Sequence, residues 1–135
     1  MERLYGSIKL LIRDRHNELG QFATIKVIQN YPDGYVLVEM PRYKEFLKTV
    51  NLIINTAIEL CEIAGQKEIQ IKVRTKNGID DNLLSVDGCH KEYDWQIPTK
   101  PGYAYAALTV QISKLKNILR HLKSHDIEIL HIHDF

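Results

Sequence analysis

Lys116, Arg120 and Lys123 recur at four- and three-residue steps, so on a helix they share one side. Lys114 adds a fourth cation, and the stretch 113–125 contains no acid. Such a stripe suits a small anionic ligand or an acidic protein surface. Its competing reading is a solvated helix face with cations gathered toward the C-terminal end, where the helix dipole favours them. His131 and His133 stand two apart at the chain end and face the same way on a strand. They could act as acid and base on a phosphoester, or begin a zinc or iron site. A metal site needs three or four ligands. His125, Asp134, Asp87, Cys89 and His90 could complete one, but none stands at a diagnostic spacing. No metal is assigned and no cofactor is expected. His121 and His125 flank an apolar stripe and read as snorkelling side chains. Asp80-Asp81 lies in an acidic loop that lacks the ligand spacing of a calcium-binding loop.

Tyr103 and Tyr105 point to one face of a strand, spaced as stacking platforms for bases would be. The stretch Lys100-Pro-Gly-Tyr-Ala-Tyr-Ala-Ala-Leu108 resembles the first conserved motif of RNA-recognition motifs, in which a basic residue and a glycine precede aromatics on a strand. Its place before a helix and a last strand also fits. It departs from that motif at Pro101, which interrupts the Lys–Gly pair, and at Leu108, which replaces a third aromatic. The strand at 35–40 supplies no partner motif, and the family is not assigned. The resemblance implies single-stranded nucleic-acid binding through Tyr103 and Tyr105.

These residues must be positioned by one domain. The chain has 135 residues, 44% hydrophobic and 26% charged, with 18 Lys+Arg against 17 Asp+Glu. That balance excludes disordered, collagen-like and disulfide-scaffold chains, and a protein held to nucleic acid mainly by bulk charge. No apolar run is long enough for a membrane span. Met1 to Ile12 mixes Glu2, Arg3 and Lys9 into its apolar residues and does not read as a secretory signal, so a cytoplasmic location with reduced thiols is expected. There is no Walker motif, GxGxxG, GxSxG, HExxH or CxxC.

Alternation predicts strands at 7–13, 22–29, 35–40, 67–75, 103–112 and 127–135, with shorter candidates at 83–86 and 93–97. Tyr31-Pro-Asp-Gly34 has the chemistry of a hairpin turn. From Tyr43 to Cys61, apolar residues recur at helical spacing, and Gly65 supplies a stop, so one long helix is expected there, with Cys61 a core thiol on its apolar side. Its wide apolar face suggests a deep core or a helix shared with a second copy of the chain. Ser113 reads as the N-cap of a second helix with Leu115, Ile118, Leu119 and Leu122 as its stripe. A faint internal echo relates Pro32-Asp-Gly-Tyr35 to Pro101-Gly-Tyr103, each followed by strand, helix and strand.

The expected fold is a single α+β domain over 1–135: an antiparallel or mixed sheet of about six strands with two helices on one face, a ferredoxin-like core with extra strands. The expected function is a non-catalytic binding or regulatory module that self-associates. It would recognise a small anionic ligand, such as a nucleotide, or an acidic protein surface. Lys116, Arg120, Lys123, Tyr103 and Tyr105 are the candidate ligand contacts. The alternatives are a small phosphoester- or nucleotide-cleaving enzyme using His131 and His133, and a single-stranded nucleic-acid binder using the two tyrosines.

Overall fold

Apolar–polar alternation builds the sheets. Ile8, Leu10 and Ile12 are buried while Lys9 between them is exposed, and Ile69, Ile71 and Val73 repeat the pattern against Gln70 and Lys72. The computed structural model describes residues 6–76 and 81–133. Its elements are β1 (Ser7–Arg13), β2 (Lys26–Asn30), β3 (Tyr35–Pro41), α1 (Tyr43–Ile53), β4 (Glu59–Ile63), β5 (Glu68–Lys76), β6 (Cys89–Gln96), β7 (Tyr103–Gln111), α2 (Leu115–Ser124) and β8 (Glu128–Ile132). Asp80 and Asp134, weighed above as ligands, lie outside the described residues, as does the side chain of Asp81.

The class is α+β, but the single sheet of about six strands with both helices on one face is not what forms. Two antiparallel four-stranded sheets form, ordered β2-β3-β1-β4 and β6-β7-β5-β8. The difference starts at one helix end. α1 stops at Ile53, and 59–63 become a strand pairing with β1. Ile58, Leu60 and Ile63 therefore face inward from β4 and the turn before it, not from a helix. The wide apolar face expected of one long helix is divided between two elements and largely covered within the chain, with Leu52 left exposed. Cys61 lies half-buried on β4. The crossover from β3 thus closes within the first sheet instead of reaching β5. Residues 83–86 form no strand, and Ser113 sits inside a 3₁₀ turn (112–114) rather than capping α2 with its side chain.

The echo between the halves extends to backbone detail. Each half runs strand, strand, strand, helix, strand, and the sheet orders match element for element. Bulges fall at corresponding places: Leu11/Ile12 of β1 against β4, and Lys72/Val73 of β5 against β8. On the other side, β2 is irregular between Val27 and Gln29 opposite Val38/Leu37, and β6 between Lys91 and Tyr93 opposite Leu108/Ala107. Even the hydrogen bond just past the last strand recurs. Ala64 N–H donates to Lys9 O, and His133 N–H to Gln70 O, both at 2.8 Å. Because bulges interrupt pairing locally and re-aim side chains, their coincidence marks one structural unit used twice.

The two units share one core. The inward residues of both sheets and the stripes Phe46/Val50/Ile53 and Leu115/Ile118/Leu119/Leu122 form a single cluster. α1 reaches across to β8, and α2 to β4. Gly88 sets the approach of β6 to α2. Its φ is +82°, and a Cβ there would meet Lys114 Cγ at 2.6 Å and Cβ at 2.8 Å. Gly88→Ala adds left-handed strain to a clash near the root of a side chain, and should cost about 1–3 kcal/mol in urea unfolding. An unchanged midpoint would show that this approach is slack.

Candidate nucleic-acid interface on the second sheet

β7 alternates Tyr103, Tyr105, Ala107 and Thr109 outward against Ala104, Ala106, Leu108 and Val110 inward. Register then decides what joins the tyrosines. Tyr105 lies between Trp95 of β6 and Arg74 of β5, and Tyr103 lies opposite Lys76. Tyr93 shares the face of Trp95 two residues away. The Tyr93 and Trp95 rings stack at 5.4 Å with 27° between planes, and Trp95 meets Tyr105 at 5.4 Å and 52°. Lys72 projects from β5 into this group. Its Nζ stands 4.2 Å from the Tyr105 ring centre and 5.8 Å from that of Trp95. Lys100 Nζ lies 4.6 Å over Tyr103. The result is an open sheet face with four aromatic rings and cations resting on them. Tyr93 remains 57% exposed and Trp95 38%, so the stacked pair presents apolar ring surface to solvent.

Toward the far edge of the same face, Arg74 pairs with Glu128, and the His131 and His133 rings meet edge-on at 4.5 Å. Among the described residues, no group of three or more His, Cys, Asp or Glu gathers to hold a metal.

The basic stripe has a different setting. The structure does not bring Lys116, Arg120 and Lys123 together with the tyrosines, because α2 packs on the inward side of the sheet. Lys116 Nζ donates to the carbonyls of Thr56 and Ile58, the latter at 2.8 Å, and Arg120 donates to Ile54 O. These carbonyls follow the end of α1, where no intrahelical donor is left to serve them. Burial, and then the neighbouring Arg120 charge, push the Lys116 ammonium below its ordinary range, against smaller opposing effects of Glu18 and Glu59. Lys123 is exposed and Lys114 pairs with Asp87 at 2.6 Å. His121 Nε2 lies 2.9 Å from Leu83 O.

Reading the sequence alone misses Trp95, Tyr93 and Lys72. Counting back from the 99–102 turn, where Ile97 N–H donates to Tyr103 O at 3.1 Å, would have put Trp95 opposite Tyr105. Lys72 carries no such signal, because its reach across the sheet depends on pairing between distant segments.

No family model matches the chain, and no curated protein matches it. Among solved structures, it is similar to protein BT0572 from Bacteroides thetaiotaomicron, at 11% identity over 92% of this chain and 90% of that one, with a TM-score of 0.26. Among the described residues, no helix is long and apolar enough to cross a membrane.

Two expectations follow. Removing the head of Lys116 or Arg120 (Lys116→Met, Arg120→Leu) strands carbonyls past α1 and should cost about 1–2 kcal/mol in urea unfolding, while Lys123→Met changes nothing measurable. Equal effects at all three positions would contradict the assigned partners. Burial pushes the Cys89 thiol up to about 11, and its Sγ lies 3.1 Å from Leu84 O. Cys61 is also raised, by burial and then by Glu59 and Glu62. Both stay protonated at neutral pH, so alkylation by iodoacetamide should be slow in the native protein and accelerate on unfolding. Fast native labelling of Cys89 would contradict this.

Proposed function

We propose that the chain is a non-catalytic binding module and that its ligand is a single-stranded nucleic acid lying across the open face of the second sheet. The observation that carries this reading is the joined group of Tyr93, Trp95 and Tyr105 with Lys72 among the rings. Bases stack on exposed rings whatever their sequence, and a cation between the rings meets the phosphates that accompany them. A ligand base would displace the Lys72 ammonium from Tyr105 and free it for a phosphate. Tyr103 and Lys100 repeat the ring-and-cation pairing further along β7, so the face can hold more than one nucleotide. The near-zero net charge is compatible with this, since Lys72 and Lys100 stand beside the rings whatever the overall balance.

Comparison of the two repeats supports the same reading. The bulges align Leu11 with Lys72, Gln29 with Tyr93, Leu37 with Ala107 and Tyr31 with Trp95. Arg13 over Tyr35, at 4.7 Å, is the counterpart of Arg74 beside Tyr105. The first face keeps Leu11 and Leu37 at its centre. The second face replaces them with a cation and a small residue, and adds the ring of Tyr93 where the first face has Gln29. Nothing in the shared scaffold demands that exchange, so it points to a ligand.

Trp95 is the chain's single tryptophan and reports directly on this face. Titration with a short oligouridylate or oligothymidylate should quench its emission, with affinity falling as salt rises. Tyr105→Ala should weaken binding by about 1–3 kcal/mol, the worth of one stacked base, without unfolding the chain. Emission that no oligonucleotide moves, or binding indifferent to salt and to Tyr105→Ala, overturns the proposal. Saturation by a mononucleotide at the same affinity would replace the strand with a small nucleotide.

A further inference from the structure

The seam between the two repeats holds a second concave region, on the helix side of the molecule and away from the aromatic face. It is a cleft of about 480 Å³ whose lining includes Lys67, Ser113, Lys116, Asn117 and Arg120. Lys67 lies in the turn that joins the repeats; the others come from α2 and the 3₁₀ turn before it. Three cations therefore meet there. The acid among the described lining residues, Glu59, stands 3.8 Å from Arg15 outside the cleft. Lys116 and Arg120 rest on carbonyls past the end of α1. Those contacts use part of their capacity, because a guanidinium has five N–H donors and an ammonium three. Among the described residues no acid is hydrogen-bonded to either cation, and holding two like charges side by side is costly.

Pseudo-symmetry shows that the equivalent helix end is satisfied without such charges. Aligning α1-β4 with α2-β8 through their buried residues places Phe46, Val50 and Ile53 on Leu115, Leu119 and Leu122. Leu47 then corresponds to Lys116 and Asn51 to Arg120. α2 ends without imported cations: the Ser124 hydroxyl donates to His121 O at 2.7 Å and His125 Nδ1 lies 2.9 Å from the same oxygen.

We propose that this cleft is a binding site for a small oxyanion, a phosphate or a phosphate-bearing metabolite, held by Lys67, Lys116 and Arg120 with Ser113 and Asn117 as neutral donors. Charge-assisted hydrogen bonds from a planar guanidinium and two ammonium groups are the usual means of holding such a group. The anion would tie α2 to the turn between repeats, so binding would stabilise the docked pair of units.

The test is isothermal titration calorimetry of the full chain with inorganic phosphate at constant ionic strength, with sodium chloride as the matched control. Saturable binding is expected, weakened roughly tenfold or more in Lys67→Gln. Lys67→Gln leaves the capping of α1 intact and should unfold at the same urea concentration as the natural chain. Arg120→Gln should lose both binding and stability. Tyr105→Ala, on the opposite face, should bind phosphate normally, which separates this site from the nucleic-acid reading. Absence of saturable binding to the natural chain, or equal affinity in Lys67→Gln, overturns the proposal.

Discussion

The end of α1 is the point on which the architecture turns. A helix that ran on toward Gly65, as its apolar pattern invites, would consume β4 and leave the first sheet without its fourth strand. It stops at Ile53 because the backbone there is offered better partners. The Thr56 hydroxyl donates to Ile53 O at 2.7 Å and accepts from Ile58 N–H at 3.1 Å. Glu18 accepts from Ala57 N–H at 2.9 Å, and Lys116 and Arg120 take the carbonyls of Ile54, Thr56 and Ile58. Helix termini must satisfy their orphan groups somewhere; here Thr56 serves the helix end itself, and the carbonyls just beyond it take their donors from the other repeat. Ending this helix and docking the two halves are therefore one event.

That coupling explains why two similar units make a single body. A four-stranded sheet with one helix leaves apolar surface uncovered. Each repeat covers its neighbour by lending a helix, α1 toward β8 and α2 toward β4, and the buried side chains merge into one cluster. With the inward faces committed to shared packing, the outward faces are free to diverge. They have done so at the positions flanking the bulges, where Leu11 and Leu37 in one unit become Lys72 and Ala107 in the other. A bulge re-aims side chains without loss of the sheet, which makes it a natural place for such change.

Much of this was legible from residue order. Strands β1, β3, β5 and β7 alternate cleanly, and α2 carries its stripe, because each meets one core face and obeys its own period. The outward placing of Tyr103 and Tyr105 followed from the same rule. The boundary between α1 and β4 was not legible: Ile54, Ile58 and Cys61 fit a helical period as well as a strand, and the arbiters, Lys116 and Arg120, lie far along the chain. The contacts of Lys116 and Arg120 with carbonyls past α1 were hidden for the same reason, since an exposed cation and one serving a distant carbonyl look alike in sequence. The echo of turn residues was faint, yet it stood for a repeat whose proof lies in strand order and bulges. Trp95 and Lys72 joined the tyrosines only through register.

The central claim is that one scaffold is used twice and that only its second outward face meets a single-stranded ligand. Backbone and side-chain NMR of the full chain, recorded as a short oligouridylate is added, tests it most directly. The account predicts shifts confined to Lys72, Arg74, Tyr93, Trp95, Lys100, Tyr103 and Tyr105, with the equivalent positions Leu11, Arg13, Gln29 and Tyr35 unmoved. Shifts spread equally over both faces, or centred on the first, would contradict it.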